Sequence, residues 1–369
     1  MTVPVRSRAP AAPPAGPVRR STRRSPRTAA VLAALVVLLV LGVLLLLGQG
    51  SVRIPLGDVA SVLAGGEASR DVYETVILDA RAPKAIAAVL AGAALAVGGA
   101  QMQTLFRNPL ADPFVLGVSS GAELGAAIVI LGSTGTGWLF QLGVLSQLGV
   151  TGAAVVGSGL VLVLALAVAQ RVASPVTVLI VGIMFGYLAG AIVDVLVYYT
   201  EPERLQSLAG FTRGTVRDVS WDDLAVLAPV CGAGVLLSLA LARPLNVLLL
   251  GERYAATMGI PVRAVQRTSL VAVAVLAGVT TAYCGVIGFI GLAAPHLVRA
   301  LLRTSNHLVV LPASALMGAV LVLAAEYVAG GNGLTDTALP LNSVTAFIGA
   351  PVVLWVLLRR RRDSAQVPA

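Results

Sequence analysis

From Ala29 to Leu358 the sequence is a succession of ten apolar runs. Each is about 20 residues long, the length a helix needs to cross a bilayer. Backbone in lipid must satisfy its own hydrogen bonds, and a helix does so within one segment. The chain has 369 residues, of which 57% are hydrophobic and 12% charged, against about 25% charged in a soluble domain. The fold class expected is therefore all-α: a polytopic membrane protein of about ten transmembrane helices. The first run is Ala29–Gly48. The others are placed at Ala82–Leu105, Phe114–Leu131, Leu148–Gln170, Val176–Tyr198, Asp222–Ala242, Arg267–Tyr283, Val286–Leu302, Val309–Val328 and Ser343–Leu358. Glycine and alanine pervade them, which lets helix backbones pack closely.

The net charge is +9, carried by 25 arginines and one lysine, Lys84. These cluster at the ends of the runs, so a topological role displaces nucleic-acid binding. With a cytoplasmic N-terminus, ten spans return the C-terminus to the cytoplasm, nineteen basic residues fall inside and seven outside. Residues 1–28 are rich in Arg, Pro and Ala, hold no acid and are expected to be a disordered basic tail. Residues 29–358 form the membrane domain, and 359–369 form a second basic tail. A signal peptide is conceivable at the N-terminus, but the length of Ala29–Gly48 suits an uncleaved first span better.

Between the second and third runs lies Arg107-Asn108-Pro109-Leu110-Ala111-Asp112-Pro113, followed by Phe114 to Ala122 with Gly117 and Gly121. Proline removes a backbone donor and restricts its predecessor. Backbone broken in this way must be buried in protein or line an aqueous path, which suggests transport rather than passive anchoring. Asn108 before Pro109 and Asp112 before Pro113 also suit simple turns. The outer loop Gln49–Arg81 reads as part-helical. The inner loop Arg243–Gln266 is too short to span. Leu248–Leu250, then Ala255, Ala256 and Met258, with breaks at Gly251 and Gly259, fit two short surface helices. Composition leaves open whether these lie on lipid or dock a cytosolic partner.

Other residues carry less. Glu123, Asp194 and Glu326 fall in or at the ends of spans, where an acid is by default a functional candidate; structural pairing or partial solvation is preferred to a proton relay. His296 and His307 lack companions at ligand spacing, and packing or hydrogen bonding is the better reading of His296. Cys231 and Cys284 sit in apolar surroundings and read as packing residues. No Gly-Lys-Ser or Gly-Lys-Thr element exists, the only lysine following Pro83. A P-loop is thus missing, and energy must come from another polypeptide or an ion gradient. No catalytic residue, cofactor or metal is expected.

Four stretches together resemble the FecCD-type permeases of ABC importers, which carry iron–siderophore complexes, haem or cobalamin. They are Arg81–Ala126, Leu248–Ile260 (LLLGERYAATMGI), Gly288–Ala319 and Leu339–Pro351. The resemblance implies a type II ABC importer permease fold in the cell membrane. Its implied partners are cytoplasmic ABC ATPase subunits, an extracytoplasmic substrate-binding protein, a second permease subunit and membrane lipid. It assigns Gly251, Glu252, Ala255, Met258 and Gly259 to ATPase coupling. It assigns Arg81 and Lys84 of the Arg-Ala-Pro-Lys motif to binding-protein docking, with lysine where the family usually has arginine; the plain alternative for Arg81 is a snorkelling anchor. A further family arginine aligns with Gly330, so that contact is absent or moved to Arg213 or Arg217. Asn108 and Leu110 match the cytoplasmic constriction, with Ser174 and Thr177 facing it. The function implied is import of a ferric siderophore or similar chelate, haem and cobalamin being alternatives. A proton-coupled transporter and a mere anchor are the competing classes.

Overall fold

A computed structural model describes residues 26–50, 52–132, 144–171, 175–330 and 338–364. Residues 1–25 of the first basic tail, 365–369 of the second, and Ser174 lie outside these residues. Every described element is helical. In chain order they are α1 (Pro26–Gly48), α2 (Leu56–Leu63), α3 (Asp71–Thr75) with a π-turn over Val76–Arg81, α4 (Ala82–Leu105), a 3₁₀ turn (Pro113–Leu116), α5 (Val118–Gly132), α6 (Val144–Arg171), α7 (Pro175–Tyr198) and α8 (Pro202–Thr212). There follow α9 (Trp221–Ala240), α10 (Ala242–Leu248), α11 (Glu252–Thr257), α12 (Val262–Cys284), α13 (Ile290–Leu302), α14 (His307–Ala329) and α15 (Leu341–Ser364). Among the described residues, six helices are long and apolar enough to cross a membrane, and four shorter apolar ones lie at Val118–Leu131, Gly149–Ala165, Ile290–Leu302 and Leu341–Trp355. Together they stand where the ten apolar runs predict spans.

Helix α4 is the centre. It packs against α14, α12, α13 and α9, while α5 pairs with α6 and α7. Small residues let α4 sit this deep. A Cβ on Gly92 would lie 2.3 Å from the carbonyl oxygen of Gly318 in α14, and one on Gly99 would lie 1.8 Å from that of Gly291 in α13. Helices α1 and α7 stay on the outside and expose Val37, Leu38, Leu41, Met184, Tyr187 and Leu188, as a lipid- or partner-facing surface does.

Two expected spans start later than hydropathy suggests. The run Phe114–Leu131 divides into the 3₁₀ turn and α5. The break is Gly117, at φ 75°, where a Cβ would meet the Gly182 carbonyl oxygen at 2.4 Å. The run Val286–Leu302 yields only the 13 residues of α13, about 20 Å of helix. The residues before it are irregular, with Gly285 and Phe289 both at positive φ. They are held inside protein: Gly288 N–H donates to Asn342 Oδ1 at 2.9 Å, and Thr215 N–H donates to the Cys284 carbonyl at 2.8 Å. Non-helical backbone at such a place needs this support. The loop Gln49–Arg81 is part-helical, as expected, and the loop Arg243–Gln266 forms the two short helices α10 and α11.

Candidate translocation path and docking surfaces

One end of the bundle gathers the cations Arg81, Lys84, Arg213 and Arg217. Glu326, in the last turn of α14, is 1% exposed and takes Lys84 Nζ at 2.9 Å and Arg217 Nε at 2.7 Å on one oxygen. One carboxylate thus holds two cations from elements far apart in sequence. Arg81 turns inward instead of snorkelling. Its guanidinium donates to the carbonyls of Leu47 at 2.7 Å and Val52 at 2.5 Å, so a positive charge closes the negative end of α1. Gly50 leaves room for it, since a Cβ there would approach Arg81 Nη2 to 2.7 Å. Arg213 alone of the four has an exposed side chain, while its carbonyl accepts the Asn342 N–H at 3.0 Å. Of the other intramembrane acids, Glu123 is half-buried in α5 and Asp194 exposed on α7.

At the other end, α4 stops at Leu105 and the chain reverses through Arg107, at φ 47°. Asn108 Oδ1 accepts Leu110 N–H at 3.0 Å, and Asp112 Oδ1 accepts Phe114 N–H at 2.9 Å. These are the turns that asparagine and aspartate before proline make. Leu110 and Asn108 are exposed, while Pro113 packs against Gly98 and Gly291. Helix α13 holds the connection from the side. His296 Nε2 donates to the Pro109 carbonyl at 2.8 Å, and Arg299 Nη1 donates to Gln103 Oε1. Thr177 is half-buried in the first turn of α7. The result is a short polar connection, pinned at its ends, with Asn108 and Leu110 presented at the surface between.

Asp112 gives this connection a pH signature. Burial raises its carboxyl from 3.8 to about 6, against the opposing effect of the Phe114 N–H bond. The folded state therefore prefers the proton more than the unfolded chain does. That contribution is full below about pH 4 and is lost as pH rises through 6. Asp112→Asn keeps the acceptor for Phe114 and removes the charge. It should raise the melting temperature of the purified protein at pH 7, by an amount worth about 1–3 kcal/mol, and change it little at pH 4. An equal shift at both pH values would contradict this account.

Beside the connection lies the α10–α11 element. Gly251 at φ 119° and Gly259 at φ 79° make its turns, where L side chains are strained. Ala255 is fully buried and seats α11, while Leu250, Tyr254 and Met258 are more than half exposed. Glu252 is also exposed and accepts from Gln266 Nε2 at 3.1 Å. The small residue thus faces the bundle and the large ones face outward. Asn246, in α10, joins His307 and Asn306 at the start of α14 through three hydrogen bonds. Sequence pattern alone gave no sign of this junction. Among the described residues, no group of three or more His, Cys, Asp or Glu is placed to hold a metal ion.

The profile of the FecCD transport family matches residues 38–359. The chain is similar to the vitamin B12 import system permease protein BtuC of Salmonella typhimurium, 35% identical over 294 residues, 78% of this chain and 85% of that protein. It is 37% identical to BtuC of Klebsiella pneumoniae over 287 residues, 76% of this chain and 82% of that one. Among solved structures it resembles an inward-facing metal-chelate type ABC transporter, with TM-score 0.77, 27% identity and coverage of 90% of this chain and 99% of the other. PsaBC from Streptococcus pneumoniae shares the fold alone, with TM-score 0.51, 15% identity and coverage of 81% and 95%. The fold is that of ABC importer permeases, and the chain belongs to the FecCD transport family.

Proposed function

We propose that the chain is the permease subunit of an ATP-driven importer that moves a large metal chelate, a ferric siderophore by preference, into the cytoplasm. The observation that carries this reading is the α10–α11 element. Its exposed Leu250, Tyr254 and Met258 stand on a chain that has no phosphate-binding loop of its own, which fits an ATPase made elsewhere. In this reading Gly251 and Gly259 shape the contact, Ala255 seats it, and Glu252 and Met258 touch the ATPase. A second permease subunit completes the path. Asn108, Leu110, Ser174 and Thr177 form the inner gate, and both termini are cytoplasmic in a multi-pass inner-membrane protein. Cobalamin is the second reading, favoured by the relatives named vitamin B12 permeases.

A substrate-binding protein docks on the opposite side. Lys84 and Arg217 are partly exposed beside Glu326, and Arg213 projects outward, so these three offer charge to acidic partner residues. Arg81 supports them by holding the end of α1. Arg213→Glu should weaken binding-protein docking roughly tenfold, as a like-charge contact does, and leave ATPase co-purification intact. Unchanged docking would remove Arg213 from the surface. Substrate is tested in cells stripped of their own chelate permeases and supplied with this chain, its ATPase and its binding protein. Accumulation of iron-labelled ferrichrome supports the first reading, and of labelled cyanocobalamin alone the second. Gain of neither overturns both.

A further inference from the structure

We propose that Asn246, His307 and Thr104 form the link through which the α10–α11 element moves the inner end of α4 and the gate connection that follows it. The proposal rests on the importer reading above. Asn246 lies in α10, His307 is the first residue of α14, and Thr104 is in the last turn of α4. The three are 61 and 203 residues apart along the chain yet form one continuous hydrogen-bonded path. Asn246 Oδ1 lies 3.0 Å from His307 Nδ1 and accepts the His307 backbone N–H at 2.7 Å. His307 Nε2 stands 2.8 Å from Thr104 Oγ1.

Hydrogen accounting fixes the direction of the path. The oxygen of Asn246 carries no hydrogen, so Nδ1–H is the donor there. A neutral ring then leaves Nε2 as an acceptor, and the Thr104 hydroxyl supplies the proton. That hydroxyl also has the Ala100 carbonyl at 3.0 Å, but the ring nitrogen is nearer. Each polar atom on the path is thereby satisfied, although His307 is 1% and Thr104 8% exposed. Burying polar groups here is costly unless every one is paired. Apolar packing would hold three helix ends together at less cost. What directional bonds add is resistance to both separation and sliding.

The ends of the path are the parts that an importer must connect. On one side α10 continues through Leu249 and Leu250 into Gly251 and α11. On the other, one residue separates Thr104 from Phe106, where the turn toward Asn108 and Leu110 begins. A second strut runs in parallel. Asn246 Nδ2 donates to Asn306 Oδ1 at 2.7 Å, in the turn between α14 and α13, and α13 holds the Pro109 carbonyl through His296. A displacement of α10 therefore reaches the gate connection from both of its flanks.

The test uses the chain reconstituted in vesicles with its ATPase and binding protein. ATP hydrolysis and uptake of labelled ferrichrome or cyanocobalamin are measured together. In Asn246→Ala, hydrolysis should fall less than about threefold while uptake falls roughly tenfold, the scale of a lost bond or two in a coupling step. The ATP used per chelate imported then rises several-fold. Thr104→Val, which keeps shape and loses the hydroxyl, should do the same, and Thr104→Ser should restore the ratio. If Asn246→Ala does not reach the membrane, the two Thr104 variants carry the comparison. Hydrolysis and uptake that fall in proportion, or a ratio that stays at the parent value, would overturn the link alone. A parent complex without ATP-driven uptake would overturn the importer reading and the link with it.

Discussion

Gly99→Ala should largely prevent recovery of a folded, monodisperse chain. The added Cβ would stand 1.8 Å from the Gly291 carbonyl oxygen and 2.6 Å from its Cα. These are backbone atoms of a packed helix and cannot rotate away, so α4 and α13 must separate by about 1.5 Å to reach ordinary contact. Close-packed interiors do not absorb that shift locally. The Gly291 carbonyl also accepts from Gln103, and Gly291 packs against Pro113 and Asp112. The strain therefore reaches the connection after α4 as well as the helix pair. We expect a loss of about 3 kcal/mol or more, at or beyond the upper end of overpacking effects. Thermal denaturation in detergent checks it. Gly232→Ala in α9 is the control, because nothing lies within 4 Å of a Cβ there. It should leave the melting temperature unchanged or slightly higher, as alanine favours helix. Equal melting temperatures for both variants would contradict the packing assigned to α4.

Removal of Glu326 is the second large effect. Its carboxylate stands between Lys84 and Arg217, and Glu326→Ala would leave two cations facing each other at a partly buried site. Breaking a buried pair from one side costs about 3–5 kcal/mol. The partial exposure of both cations, 17% and 30%, brings the expected loss to about 2–4 kcal/mol. Lys84→Met should cost less, because Arg217 still neutralises the carboxylate. Glu326→Ala combined with Lys84→Met should recover part of the loss, since one cation then remains instead of two. The ordering of the three melting temperatures is the measurement. A Lys84→Met variant less stable than Glu326→Ala would refute the pairing.

Hydropathy alone located the ten apolar helices, because backbone in lipid must be helical and its side chains apolar, although four of the ten are shorter than the runs suggest. Gly251 and Gly259 marked the turns of α10 and α11 for a similar reason, since few residues tolerate those backbone angles. The shortening of α13 was not legible. Val286 to Phe289 is as apolar as a helix, and contacts from elsewhere hold it open, among them Asn342, the 211–215 segment and Gly349 against Phe289. Nor was the direction of Arg81, which depends on the end of α1 lying beside it. Glu326 was visible as an acid near the end of a run, and Lys84 as a cation at the same expected side. Choosing them as partners required the fold. The junction of Asn246, His307 and Thr104 has no local signature at all, because each residue taken singly suits a helix end or a cap.

As proposed above, this chain is a permease subunit of an ATP-driven importer and supplies none of the energy itself. Uptake of labelled chelate into vesicles tests it most directly. The chain alone, the chain with its ATPase, and the full assembly with binding protein are compared, with and without ATP on the ATPase side and with an imposed pH gradient. The account predicts uptake only in the full assembly with ATP, indifferent to the gradient. Uptake by the chain alone that follows the pH gradient and ignores ATP would contradict it.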